Sequence, residues 1–164
     1  MSVKEVGLKD SFAWYEKLSM RGGFAAVVGI GALAIYQSQP VAAAGYLLFV
    51  ALGGLVVMYD SLCVYCPYPF KHSDCLFFPY QLVASVTKLR AKPIPWFRNA
   101  LSALAFLGIV AIPQYWLWGQ WSLFGTFWVL ALVGAIAVPL HFCRHCRHRR
   151  CPMNLVTLRT DGQE

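Results

Sequence analysis

Four stretches of the chain carry no Asp, Glu, Lys or Arg: residues 22–39, 41–59, 100–118 and 121–142. Each is about long enough to cross a hydrocarbon core of roughly 30 Å as a helix, so the pattern predicts four transmembrane helices. The connections differ in kind. Residues 37–40 and 119–120 are short and uncharged, whereas residues 88–95 (Lys-Leu-Arg-Ala-Lys-Pro-Ile-Pro) are basic and broken by proline. The chain therefore reads as helix, tight turn, helix and polar phrase, twice over. Two hairpins in succession preserve direction, so the second half is expected to repeat the first in parallel, about an axis along the membrane normal. The segments are 1–21 (interfacial or cytoplasmic), 22–75 (first hairpin), 76–99 (linker), 100–151 (second hairpin) and 152–164 (tail). The fold class expected is an all-α integral membrane protein.

Composition agrees: 59% of the 164 residues are hydrophobic and only 13% charged, which is wrong for a soluble globule. Some twenty residues with three acids precede the first span, and no small-x-small cleavage pattern ends it, so it is expected to be retained rather than removed as a signal peptide. Leu8, Phe12, Trp14, Tyr15 and Leu18, mixed with Lys4, Lys9, Lys17 and Arg21, are spaced as in a helix lying on a membrane surface or in a solvated terminus.

The 14 basic residues lie before the first span, between the second and third, and after the fourth. None lies in the two short turns. Cytoplasmic flanks retain Lys and Arg during insertion, which predicts that both termini and the central loop face the cytoplasm across the inner membrane. The net charge of +7 is thereby a topology signal that also suits anionic lipid, and no nucleic-acid motif accompanies it. Tyr115, Trp116, Trp118 and Trp121 crowd the opposite turn, as interfacial anchors do. With no ionisable acid or base inside the four uncharged stretches apart from His141 near an end, a pump or ion channel is excluded. The histidines (His72, His141, His145, His148) sit too near the inner ends for a bis-histidine haem.

The chemistry lies in a doubled phrase: Cys63-x2-Cys66-x5-His72-x2-Cys75 and Cys143-x2-Cys146-x-His148-x2-Cys151. All six cysteines fall inside it. The copies are offset by 80 residues from Cys63 to Cys143 and by 76 from Cys75 to Cys151, as in a duplicated unit with a small deletion. A Cys-x2-Cys turn brings two sulfurs to one point, and a third or fourth ligand a few residues later closes a cage. Three arrangements follow. Each copy binds its own zinc through three cysteines and a histidine; or the two Cys-x2-Cys pairs share one centre; or each cysteine triad holds an iron-sulfur cluster with a histidine or another chain as fourth ligand. Arg144, Arg147, Arg149 and Arg150 serve topology and would also steady an anionic centre. His141 and His145 have no counterpart in the first copy and are read as solvated or lipid-facing.

The proline after Cys66 and after Cys151 resembles ferredoxin-like sequences, in which a cysteine followed by proline holds a cluster. The likeness covers that dipeptide, because ferredoxins run Cys-x2-Cys-x2-Cys-x3-Cys-Pro. In plan the chain is similar to polyferredoxin-like, quinol-linked electron-transfer proteins of the membrane. The resemblance implies an iron-sulfur subunit passing electrons between a cytoplasmic donor protein and quinone or a larger membrane complex. A zinc-stapled docking scaffold is one alternative. A membrane thiol-disulfide oxidoreductase is another, since Arg and His near Cys-x2-Cys lower a thiol pKa, although cytoplasmic thiols are ordinarily kept reduced.

Overall fold

The computed structural model describes residues 11–61, 63–66, 68–71, 75–86, 88–90 and 95–142, and among them every regular element is helical. Helix α1 (Trp14–Tyr36) starts where Glu16, in the third helical position, reaches back to accept the Ala13 N–H at 2.8 Å. Ala13 itself has no capping side chain, and a carboxylate in the first turn offsets the exposed amides and favours the helix dipole. The helix thus begins eight residues before the uncharged stretch and enters it without a break. A tight turn follows, and Pro40 opens α2 (Pro40–Phe49) at a position where its missing N–H costs nothing.

The second rod changes pitch. It widens to a π-helix over Val50–Val57, returns to α geometry in α3 (Met58–Ser61) and tightens to a 3-10 turn over Cys63–Tyr65. Gly54 lies in the widened part, where a Cβ would stand 3.0 Å from Ile109 Cδ1; the bare backbone lets the neighbouring helix approach. Short helices α4 (Tyr68–Lys71) and α5 (Tyr80–Val86) follow, then α6 (Trp96–Ala111), the single turn α7 (Gln114–Leu117) and α8 (Trp121–Ala137), which runs into a π turn over Val138–Phe142.

Three helical segments, Trp14–Tyr36, Pro40–Tyr65 and Trp96–Leu117, are long and apolar enough to cross a membrane. The helix in the fourth uncharged stretch, Trp121–Ala137, has 17 residues; at ~1.5 Å per residue it is about 25 Å long, so it falls short of that length and the expected fourth span is not shown. Helix α1 packs against α2 on one side and α8 on the other, and α6 lies against the π stretch and α3. Outward faces are lined by Leu47, Leu48, Leu52 and Val56, by Leu101, Leu104 and Leu107, and by Val129, Leu132, Val133 and Ile136, all exposed. Such continuous apolar cover belongs against lipid tails.

The interior is small. Ile35, Ala43, Tyr46, Val50 and Ile109 form one buried cluster, and Ala34, Leu117 and Phe127 another nearer the aromatic turn. Gly31 sits between them, where a Cβ would meet Pro113 Cβ and the Tyr46 hydroxyl at 3.1 Å. The buried Tyr46 hydroxyl donates to the Ile109 carbonyl at 3.0 Å. In an unbroken helix that carbonyl would accept from residue 113, but Pro113 has no N–H to give. Tyr46 supplies the missing donor from a neighbouring helix, which an apolar surrounding makes necessary. Tyr46→Phe is expected to destabilise the protein by about 1–3 kcal/mol, read as a lowered Tm in detergent with helical content retained at low temperature.

Candidate functional site

The first cysteine phrase is assembled at the end of the bundle where α1 begins, the second rod ends and α6 starts. The Cys66 N–H donates to the Cys63 carbonyl at 3.2 Å, closing the Cys-x2-Cys turn, and Cys63 and Cys75 are buried to 7% and 8% exposure. All three stand as thiols rather than in a disulfide. The Cys63 thiol donates a hydrogen bond to the Cys75 sulfur, and Cys66 is near enough for its charge to be felt at Cys63. Cys66 also packs against a small apolar cluster of Phe12, Tyr68 and Leu76, in which the Phe12 and Tyr68 rings stand 5.3 Å apart. The segment preceding α1 therefore roofs the phrase.

Cys75 is held well below the ordinary thiol value, down to about 6. The hydrogen bond from Cys63 contributes most, the N–H groups of Phe78 and Phe77 and the Arg21 charge act in the same direction, and burial opposes them. The Phe78 nitrogen lies 3.5 Å from the sulfur. At neutral pH the pair is thus a thiolate at Cys75 and a protonated donor at Cys63.

Two sets of polar contacts fasten this phrase to the bundle. Arg21 of α1 donates to the carbonyls of Cys75, Leu76 and Phe78. On the other side, Asp60 meets Arg98 of α6 at 2.6 Å and Arg90 at 3.7 Å. Arg98 also donates to the Asp60 carbonyl at 3.1 Å and lies 6.0 Å from the Tyr65 ring centre, while the Arg90 N–H donates to the Val64 carbonyl at 3.0 Å. Asp60 is half exposed, so each ion pair is worth only about 0–1 kcal/mol. Their combined effect is geometric, tying the linker and α6 to the Cys63–Tyr65 turn.

His72, Cys143, Cys146, His148 and Cys151 lie outside the described residues, as does His145. His141, expected to be solvated or lipid-facing, is 65% exposed on its side chain, yet its Nε2 stands 3.7 Å from Glu16 Oε1, a carboxylate buried to 3%. Burial of Glu16 brings the approach to the second phrase against the same end of α1 that holds the first. Among the described residues no group of three or more His, Cys, Asp or Glu side chains is disposed to hold one metal ion. Sequence reasoning placed Arg21 in a surface or solvated segment and gave no contact role to it, to Arg98 or to Glu16. The available signal was position: Asp60 and Arg21 both stand at the edge of an uncharged stretch, where a charge meets the chain leaving the bundle.

No protein family matches the chain, and no curated protein or solved structure is significantly similar to it. The chemistry must be argued from the residues themselves.

The thiolate makes a pH prediction. Cys75 is lowered to about 6 and Cys63, its hydrogen-bond partner, is pushed up from the ordinary thiol value of 9.0, so the pair stabilises the fold most between these limits: the Cys75 contribution is lost as pH falls through about 6, and that of Cys63 declines as pH rises above about 9. In metal-free protein, alkylation of Cys75 by iodoacetamide is expected to titrate near pH 6, and alkylation of Cys63 at higher pH. Mass-spectrometric mapping of the modified cysteines against pH checks both.

Proposed function

We propose that the chain is a four-span membrane protein built of two parallel hairpins, with both termini and both cysteine phrases on the cytoplasmic side of the inner membrane, and that the phrases hold a thiolate-rich metal centre. The ligands are Cys63, Cys66, His72 and Cys75 from the first phrase and Cys143, Cys146, His148 and Cys151 from the second. In this reading the metal is an iron-sulfur cluster that passes electrons between a cytoplasmic donor and quinone or a membrane complex.

The observation that supports it is the close pair of Cys63 and Cys75 beside the Cys63–Cys66 turn, with the Phe78 N–H directed at the Cys75 sulfur. The donor chemistry fits: metal-binding sulfur is thiolate, soft sulfur ligands suit iron-sulfur clusters and zinc, and N–H···S bonds stabilise a sulfur that keeps its negative charge. When bound, a cluster supplies one-electron storage. The protein's part is to set sulfur ligation, to exclude water with Phe12, Tyr68 and Leu76, and to present the centre at one end of the apolar bundle.

Anaerobic purification tests this directly. The expected result is coloured protein containing iron and acid-labile sulfide, with visible absorbance that bleaches on dithionite and is lost in Cys63→Ser. Colourless protein with stoichiometric zinc overturns electron transfer and leaves a zinc-stapled docking scaffold.

A second reading rests on a separate observation, the direct hydrogen bond between the Cys63 thiol and the Cys75 thiolate. Two sulfurs so placed suit thiol-disulfide exchange, with Cys75 as the attacking group and Cys63 as the resolving one. Protein that lacks metal as isolated and cycles reversibly between a Cys63–Cys75 dithiol and disulfide would select this reading.

A further inference from the structure

Arg21 makes more contacts than topology requires. Its Nη2 donates to the Cys75 and Phe78 carbonyls, each at 3.1 Å, and its Nε donates to the Leu76 carbonyl at 3.3 Å. Three carbonyls of one four-residue loop therefore face a single guanidinium. The C=O and N–H of a planar trans peptide point in opposite directions, so drawing the Leu76 carbonyl toward Arg21 turns the Phe77 N–H the other way. On that opposite side lies the Cys75 sulfur, to which the N–H groups of both Phe77 and Phe78 bond.

We infer that Arg21 is a positioning residue of the cysteine centre, which gathers the carbonyls of Cys75, Leu76 and Phe78 on α1 and thereby turns the Phe77 N–H toward the Cys75 sulfur through the Leu76–Phe77 peptide plane and keeps the Phe78 N–H on it by fixing the loop on either side. It touches no sulfur and need not be a ligand. The inference deepens the metal-centre reading by naming what orients one of its ligands, but it holds equally for the thiolate of an exchange pair. A row of inward N–H groups is a general device for stabilising an anion or an anionic cluster. Arginine suits the task where lysine does not, because its planar fork presents several donors in fixed directions, whereas an ammonium is a single compact charge.

That difference separates the two roles of residue 21. Arg21→Lys keeps the positive charge that orients the chain in the membrane and removes the fork. In metal-free protein, hydrogen exchange at the Phe77 and Phe78 amides is expected to speed up about tenfold in Arg21→Lys, with exchange across α6 and α8 unchanged. Cys75→Ala, which removes the acceptor, is expected to raise exchange at the same two amides. In metal-loaded protein, Arg21→Lys should shift the reduction potential of a cluster to more negative values, because two N–H···S bonds weaken.

Unchanged exchange at Phe77 and Phe78 in Arg21→Lys overturns the inference. So does a rise spread over α1, α6 and α8, since Arg21 would then hold the bundle rather than the loop, and so does a Cys75→Ala variant with no effect on these amides. Wild-type protein that binds no metal sinks the metal-centre reading alone, because the exchange measurement is made without metal.

Discussion

Within the apolar interior, each backbone N–H and C=O must find its partner inside the protein, because a lipid surrounding offers none. The arrangement of the helices follows from this constraint. Just past the end of helix α6, Pro113 deprives the Ile109 carbonyl of its helical partner, and the Tyr46 hydroxyl of α2 replaces it at 3.0 Å. One residue further on, the Gln114 side chain donates to the Val110 carbonyl at 2.7 Å and accepts the Trp128 indole N–H at 3.0 Å. The break in α6 is thus repaired from α2 on one side and linked to α8 on the other. These polar ties fix which helices are neighbours, since apolar side chains facing lipid discriminate little between partners.

At the opposite end the same constraint works differently. There the chain leaves regular helix repeatedly, and the freed carbonyls of residues 75, 76 and 78 are taken by Arg21, that of Asp60 by Arg98 and that of Val83 by the Tyr59 hydroxyl. Side chains that the insertion machinery would read only as positive charge serve as hydrogen-bond donors to irregular backbone. The result is a rigid frame around Cys63, Cys66 and Cys75, buried on one side by Phe12, Tyr68 and Leu76. A sulfur so framed is an anion at neutral pH, and an anionic sulfur is prepared equally to bind metal or to attack a disulfide.

Much of the architecture was legible in advance. The uncharged stretches mark the helical rods, and the short turn at residues 37–40 marks the packing of α1 on α2. Helix starts were less legible. Lys17 and Arg21 were expected in a surface or solvated segment, and α1 runs through both, because Glu16 satisfies the first turn and meets His141 while Arg21 finds partners in the loop. His141 is exposed, as expected, and also stands near a buried carboxylate. Comparison between the two copies offered no counterpart for it, and its partner, Glu16, is 125 positions away in sequence.

By itself the sequence determined the apolar rods and the identity of the sulfur-bearing phrases, because these follow from local hydropathy, chain length and ligand spacing. Only the tertiary structure decided that Cys63 meets Cys75, that Arg21 holds the loop beside that pair, and that Tyr46 completes α6. Each of those contacts joins separate elements of the chain, and nothing in the local pattern specifies which donor will reach a given acceptor once the helices have packed.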